Sequence, residues 1–252
     1  MKRKVISISS GEYVYHQIFN KAVGKIINGQ PTGRGNDGKV VQFGYNTALK
    51  LWHEDLNPAI KEEYLNNIEN MLNEHVNYQS IILPKKLVEC NGQYVGYTMK
   101  YFPGRNLEII SNLTSFKALL KGLAKLERDI YLFSQKGYQL DDIHYKNIMV
   151  NQKHKIVSFA ILDADSWQKL PTYDVQKLYI SNLSKIREII FNVLLDNEIK
   201  EFIENDEELS YAYELIIKNQ SEELSTFLYE VYVRISNKEK KRIRTLGDFK
   251  IS

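Results

Sequence analysis

The most informative stretch of the sequence is Asp142–Val150, where an acid is followed five residues later by Asn147 and then by a short apolar strand. A second apolar strand, Ile156–Leu162, leads directly into Asp163. An Asp in such a loop can orient a hydroxyl nucleophile, and an acid at a strand exit can bind a divalent cation through oxygen. Each acid alone is more typical of a turn cap. The ordered set of two acids and an amide predicts a magnesium–phosphate site.

A glycine-rich run leads into the predicted strand Val40–Phe43. It fits the pattern G-x-G-x-x-G-x-V, and the residues with that spacing are Gly33, Gly35, Gly38 and Val40. Glycines let the backbone approach a phosphate closely and turn its amides toward it. A glycine-rich surface turn explains the run equally well. Pro31 lies where the first strand of such a loop would run, and proline cannot donate to a sheet ladder.

A lysine in the middle of a short strand is the second candidate site residue. Lys50 lies within Thr47–Trp52, and a lysine on a central strand is rare unless its ammonium has a partner. The helical pattern that follows supplies three glutamates as partners, namely Glu62, Glu63 and Glu69. Glu69 lies on or near the apolar face of that pattern. All three can equally be solvated helix acids.

The pattern of apolar residues predicts an α+β fold. Strands and one helix are expected up to residue 102, with a hairpin turn at Asn91-Gly92, and mostly helices afterwards. The predicted segments are Val40–Phe43, Thr47–Trp52, Ala59–Val76, Ile81–Cys90, Gln93–Lys100, Ser115–Ser134, Ile148–Val150, Ile156–Leu162, Val175–Leu195, Ile199–Ile217 and Glu222–Ile235. We therefore expect a strand-rich domain over 1–102 and a helix-rich domain over 103–252.

In this order of motifs the sequence resembles the protein-kinase-like superfamily over roughly residues 25–195. The resemblance implies a bilobal fold with an antiparallel sheet and one helix in the N-lobe, a helical C-lobe, and the ligands ATP and Mg²⁺. The glycine run would cradle phosphates, Lys50 would hold them and pair with Glu69, and Asp142 would be the catalytic base. The remaining implied roles are magnesium binding by Asn147, Asp163 and Asp165, and adenine binding by the hinge residues Met99, Lys100 and Phe102.

Several positions depart from the pattern of protein kinases. Leu140-Asp141 precedes Asp142 where His-Arg is usual, and Asn182 stands where an Asp is usual. Asp165 replaces the glycine of the D-F-G motif, and the activation segment is very short. His144, two residues after the expected base, resembles the loop of aminoglycoside and choline phosphotransferases, whereas the D-x-D-S ending resembles compact bacterial protein kinases.

The resemblance leaves three functions open. The first is transfer of the γ-phosphoryl group of ATP to Ser or Thr of a protein, and the second is transfer to a small-molecule hydroxyl. The third is a pseudokinase that binds nucleotide and acts as an interaction module. The altered residues around Asp142 and Asp163 motivate this third alternative.

Composition limits the compartment and the kind of protein that this sequence can represent. The 252 residues carry a formal net charge of +3 and one cysteine, which excludes a disulfide framework and fits a reducing bacterial cytoplasm. No stretch approaches the roughly 20 apolar residues needed to span a bilayer, and the basic start lacks the apolar segment of a signal peptide. The basic stretch 238–250 is more typical of a solvated surface than of a nucleic-acid site. The resemblance implies ATP and a hydroxyl acceptor as the partners.

Overall fold

A computed structural model describes residues 5–13, 37–153, 156–218, 224–238, 240 and 242–249. The chain forms two compact units. The first is drawn from the ranges 1–77, 82–102 and 163–167, and the second from 78–81, 103–162 and 168–252. We predicted a boundary at residue 102, and two short segments depart from it. Residues 163–167 belong to the first unit, and residues 78–81 belong to the second.

The first unit is built on a five-stranded sheet. Its strands are β1 (Val5–Ser7), β2 (Gly38–Gln42), β3 (Thr47–Trp52), β4 (Pro84–Cys90) and β5 (Gln93–Lys100), in the spatial order β1-β4-β5-β3-β2. Neighbouring strands are antiparallel except for β1, which runs parallel to β4. The sheet is therefore mixed, whereas we expected a purely antiparallel one. Asn91 and Gly92 both have positive φ, as the predicted tight hairpin requires.

Strand β3 is buried over almost its whole length, and its two faces have different surroundings. Leu49 and Leu51 join an apolar cluster with Val41 and Val88. Because side chains alternate across a strand, Lys50 projects from the opposite face. The strand's period thus separates Lys50 from this apolar cluster and places its charged side chain in a buried position on the other face of the sheet.

A helix, α1 (Pro58–Met71), completes the first unit together with a 3₁₀ turn at Ala164–Ser166. Asn57 caps α1 by accepting a hydrogen bond from the backbone of Ala59, with Pro58 in the first turn. The helix ends at Met71, five residues earlier than predicted, so Val76 lies outside it. The helix and the 3₁₀ turn pack against each other.

The second unit is mainly helical. Its helices are α2 (Phe116–Gln135), α3 (Val175–Leu194), α4 (Asn197–Glu204), α5 (Glu207–Ile217), α6 (Leu224–Lys238) and α7 (Leu246–Phe249). Its short strands are β6 (Arg105–Asn106), β7 (Tyr138–Gln139), β8 (Ile148–Lys153), β9 (Ile156–Ile161) and β10 (Gln168–Lys169). Strands β6, β8 and β9 form one antiparallel sheet, and β7 pairs with β10.

One helix prediction in this unit is wrong. The single helix expected over 199–217 is broken into α4 and α5. Asn205 ends α4, and the side chain of Asp206 caps α5 by accepting a hydrogen bond from Leu209. A capping carboxylate at the start of a helix satisfies a backbone N–H that would otherwise lack an acceptor, so the break is locally stable. No helix in the described part of the chain is long and apolar enough to cross a membrane.

Candidate functional site

Lys50 is the centre of a buried polar group in the first unit. It lies in β3, paired in register with Val40 of β2 and Tyr97 of β5, and is only 5% exposed. Its ammonium donates to the carboxylate of Asp163 and, at 2.8 Å, to Oδ1 of Asp165. A buried ammonium requires such partners because its desolvation is costly. The structure thus gives Lys50 two aspartate partners where the resemblance implied Glu69.

Asp163 occupies a turn with unusual backbone geometry. Its φ is 80° and its ψ is 49°, the left-handed conformation that few residues other than glycine adopt. The carbonyl oxygen of Asp163 accepts a hydrogen bond from the Ser166 hydroxyl at 3.0 Å, which closes the Ala164–Ser166 turn. Strained non-glycine residues persist where the surrounding structure holds them, and they cluster at functional sites. The D-x-D-S run is therefore a folded turn that presents two carboxylates to one lysine.

Asp165 is held on all sides by protein groups. Its Oδ1 accepts from Lys50 and, at 3.4 Å, from the hydroxyl of Tyr97. Its Oδ2 accepts from the indole Nε1 of Trp52 at 2.8 Å, and its backbone oxygen accepts from Asn67 of α1 at 2.9 Å. The residue is 1% exposed. We expected Asp165 as a magnesium ligand, and in the structure both of its carboxylate oxygens accept hydrogen bonds from protein donors.

The electrostatics of this cluster keep Lys50 charged. Burial by itself would lower the pKa of the ammonium, but the carboxylates of Asp165 and Asp163 outweigh it and hold the pKa well above its usual range. Burial, reinforced by Asp165, raises the pKa of the Tyr97 hydroxyl, so this group remains a hydrogen-bond donor. Lys50 therefore remains a charged ammonium that two carboxylates neutralise, and a phosphate oxygen would have to share this ammonium with them.

A second candidate group lies in the loop before β8 of the second unit. Asp142 also has a left-handed backbone, with φ 51°, and its side chain is 58% exposed. The amide Nδ2 of Asn147 donates to the Asp142 carbonyl at 2.9 Å, and the Asn147 carbonyl accepts from Leu162. His144 Nε2 lies 3.9 Å from Asp142 Oδ2. The loop thus presents an exposed carboxylate on a backbone that Asn147 holds in place.

The segment leading to this loop is anchored on α3. Asn182 is fully buried, and its Oδ1 accepts from the backbone of Leu140 while Nδ2 donates to Ser134 and Tyr138. One turn further along α3, Lys185 donates to the Leu140 carbonyl at 2.9 Å and to Asp141 at 3.0 Å. Two residues from one helix therefore hold the backbone on the N-terminal side of Asp142.

The other predicted site residues have mixed placements. Gly33 and Gly35 lie outside the described residues, whereas Gly38 and Val40 lie in β2, where Gly38 pairs with Trp52. Of the hinge residues, Met99 is buried in β5 and Lys100 is exposed, while Phe102 is half-buried beyond the strand. Glu62 and Glu63 are exposed, and Glu69 is partly buried.

The donor chemistry at Asp163 and Asn147 fits magnesium, which prefers carboxylate and amide oxygens. Asp163 is 24% exposed on its side chain, against 2% for Asp165, so a cation would reach Asp163 more easily. Within the described ranges, no group of three or more His, Cys, Asp and Glu side chains is arranged to hold a metal ion.

Sequence reasoning missed the residues that orient Asp165, namely Trp52, Tyr97 and Asn67. Trp52 follows Lys50 by two positions, so strand periodicity places it on the same face and was an available signal. Asn67 is a polar residue directly before the buried Ile68 of α1, which is a weaker signal. Tyr97 lies opposite Lys50 only through the register of β3 with β5, and no local pattern predicts that register.

Comparison with known proteins adds no family assignment. No protein-family model matches the chain, and no relative was found among curated proteins. The functional conclusion therefore depends on the residues of the site themselves.

Proposed function

We propose that this protein is a magnesium-dependent kinase that transfers the γ-phosphoryl group of ATP to the Ser or Thr hydroxyl of a protein. The observation that carries the proposal is the buried pairing of Lys50 with Asp163 and Asp165, over sequence separations of 113 and 115 residues. Lys50 and Asp163 stand at positions where the kinase motifs would place charged site residues, whereas Asp165 stands where the D-F-G motif has glycine. The proposal includes the assignment of the two units as the N-lobe and C-lobe of a protein-kinase-like fold.

Each group has a role that its surroundings support. Lys50 would bind phosphate oxygens as a preorganised buried cation, which is the kind of electrostatic contribution phosphoryl transfer depends on. Asp142, exposed and on a strained turn, would align the acceptor hydroxyl and accept its proton. Asp163 and Asn147 each keep the role of magnesium ligand that the resemblance implies, and magnesium would neutralise phosphate charge when bound. Gly38, Val40, Met99, Lys100 and Phe102 keep the nucleotide-binding roles implied by the resemblance, as part of the proposal.

The test is phosphoryl transfer by the purified full chain with Mg²⁺ and γ-labelled ATP. We expect label on the protein itself or on protein acceptors, dependent on Mg²⁺. Lys50→Met and Asp142→Asn should each lower the rate of transfer strongly, and the Asn variant should still bind ATP. Transfer at the wild-type rate in Asp142→Asn would contradict the role of Asp142. If the wild-type protein binds Mg·ATP but neither labels an acceptor nor releases ADP, the pseudokinase alternative replaces the proposal.

A second candidate, a small-molecule phosphotransferase, is favoured by the short connection after Asp165. Only residues 167–174 separate the 3₁₀ turn from α3, and part of that connection is occupied by β10 pairing with β7. His144, close to Asp142, is also the residue expected for this class. A screen that measures ADP release with aminoglycosides, amino alcohols and protein acceptors separates the two. A small hydroxyl compound that stimulates ADP release, with no protein phosphorylated, would establish the second candidate.

A further inference from the structure

Lys50 has two carboxylate partners, and they differ in how firmly the protein holds them. Asp163 is partly exposed, at the strained residue that precedes the 3₁₀ turn. Asp165 is buried, and Trp52 and Tyr97 donate to its carboxylate alongside Lys50. A carboxylate fixed by several donors in a site of low dielectric keeps its position, whereas an exposed one can turn toward another ligand. Asp165 is therefore the constant partner of Lys50.

The helix of the first unit reaches the same cluster through the amide of Asn67. Asn67 Nδ2 donates to the Asp165 backbone at 2.9 Å. Residues two apart on a helix point in directions about 200° apart, because each residue advances the helix by about 100°. Glu69 therefore leaves α1 on a different side from Asn67, and the carboxylates bonded to Lys50 are those of Asp163 and Asp165. Glu62 and Glu63, the other candidates, are exposed.

We propose that Asp165 is the positioning residue for Lys50 and takes over the role expected of a glutamate on α1. This inference rests on the proposed function, since the task of Lys50 there is to bind phosphate oxygens. Trp52 and Asn67 support Asp165 by fixing its carboxylate and its backbone. The arrangement leaves Asp163 available for a cation, because Lys50 retains one buried carboxylate partner when Asp163 turns away.

The experiment is a double-mutant cycle between Lys50 and Asp165 in the full chain. Steady-state kcat and KM for ATP and the Kd for ATP in the presence of Mg²⁺ are measured for Lys50→Met, Asp165→Asn and the double variant. We expect each single change to lower kcat/KM for ATP at least about 30-fold. The double variant should lie within about 3-fold of Lys50→Met, since a residue that acts through another adds nothing once that residue is gone. Additive losses would overturn the proposal.

Glu69→Gln is the matched control, because it neutralises the competing carboxylate. We expect its kcat/KM to stay within about 3-fold of the wild-type value. A loss as large as that of Lys50→Met would assign the positioning role to Glu69.

If Asp165→Asn fails to fold, Trp52→Phe tests the positioning role instead. This variant keeps the carboxylate of Asp165 and the aromatic bulk, but it removes one hydrogen-bond donor to Asp165. A loss of 5-fold or more in kcat/KM supports the proposal, and a value within 2-fold of wild type overturns it.

The indole N–H resonance of Trp52 provides a readout that needs no nucleotide. It is assigned in a ¹H–¹⁵N correlation spectrum by its disappearance in Trp52→Phe. Asp165→Asn should move it upfield as the hydrogen bond to a carboxylate is weakened, and Glu69→Gln should leave it in place. If the wild-type protein does not bind ATP, the proposed function fails, and this resonance still reports whether Asp165 is fixed beside Lys50. If ATP is turned over normally by Asp165→Asn, the positioning role alone fails.

Discussion

Asn182 Oδ1 accepts a hydrogen bond from the backbone N–H of Leu140 at 2.8 Å, in a fully buried position beneath the loop that contains Asp142. The same side chain donates through Nδ2 to Ser134 Oγ and to the Tyr138 carbonyl, each at 2.9 Å. One amide therefore joins α3, α2 and β7. Both ends of the amide are needed, because it accepts on one side and donates on the other. An aspartate at this position would lack the two donors.

Removal of the Asn182 amide should destabilise the protein. Asn182→Ala leaves the Leu140 N–H and the Tyr138 carbonyl without this partner in a buried site, and each such group costs about 1–3 kcal/mol. We expect the free energy of unfolding, measured by urea denaturation, to fall by at least about 2 kcal/mol. Ser181→Ala, on the exposed side of the same helix, should change it by less than about 0.5 kcal/mol. Equal effects of the two changes would contradict the anchoring role.

Two substitutions at Asp142 distinguish the chemical role of its carboxylate from the strain of its backbone. Its φ of 51° is tolerated by Asn and Gly but costs other residues about 1–2 kcal/mol. Asp142→Asn should therefore keep the unfolding free energy within about 0.5 kcal/mol of wild type. It should also lower kcat by about 10²–10⁴-fold, the usual contribution of a general base. Asp142→Ala should add a loss of about 1 kcal/mol in stability. Unchanged turnover in the Asn variant would exclude Asp142 as the base.

Gly96 is required because β5 passes very close to β3. A Cβ on Gly96 would overlap the carbonyl oxygen of Lys50 and lie 3.0 Å from the Leu51 Cα. Since both neighbours are backbone in a central strand, the sheet itself must shift to make room. We expect Gly96→Ala to lower the unfolding free energy by at least about 1–3 kcal/mol and to weaken ATP binding.

The control for this prediction is Gly11→Ala, where the nearest atom to an added Cβ is the Ser9 hydroxyl at 4.0 Å. It should have little effect on either stability or ATP affinity. If Gly96→Ala retains wild-type stability, β3 and β5 are not held as closely as the register of Leu51 with Gly96 requires.

An ion pair in the second unit predicts a pH dependence of stability. Arg234 donates to both carboxylate oxygens of Asp206 at 2.9 Å and also contacts Glu208, and Asp206 caps α5. Burial raises the pKa of the Asp206 carboxyl, but the hydrogen bonds from Leu209 and Arg234 together outweigh it and lower the pKa below its usual value. A lowered folded-state pKa stabilises the fold above the unfolded-state pKa of about 3.9. That contribution is lost as the pH falls through the lowered value.

Asp206→Asn should remove this acid dependence. The difference in unfolding free energy between wild type and Asp206→Asn should be largest near pH 6 and should shrink progressively below about pH 4. Urea denaturation over a pH series measures it. Lys218→Ala is the control, because the Glu214–Lys218 pair that it removes is exposed and contributes little. A difference that is constant across the series would contradict the prediction.

Local signals predicted several elements closely. Strands β3 and β5 have the predicted bounds, and Ser115, the residue at which a helix was expected to begin, caps α2. Tight turns and amphipathic helices depend on residues within a few positions of each other, so their signals are contained in the sequence. The prediction of a single helix over 199–217 was wrong, and the reason is also local. Asp206 has a capping side chain, and apolar periodicity alone does not detect the interruption that it makes.

In the candidate site, too, local patterns predicted some features and missed others. Sequence spacing selected Lys50, Asp142, Asn147, Asp163 and Asp165, because each stands in a short motif with a recognisable chemical pattern. The partner of Lys50 was not predictable in that way. Three glutamates on α1 were closer in the sequence, and only the packing of Asn67 against the Ala164–Ser166 turn shows why none of them is its partner.

The sequence by itself therefore determined which residues have the chemistry that the proposed phosphate and cation site needs, and which of them stand at strand ends and turns. Tertiary structure decided the pairing, because Lys50 and Asp165 are 115 residues apart and meet only after β3, β5 and α1 have packed. A buried ammonium must be neutralised by whichever carboxylate the fold brings within reach. Distance along the chain has no influence on that choice, so the structure assigns Lys50 to Asp165 through Trp52, Tyr97 and Asn67.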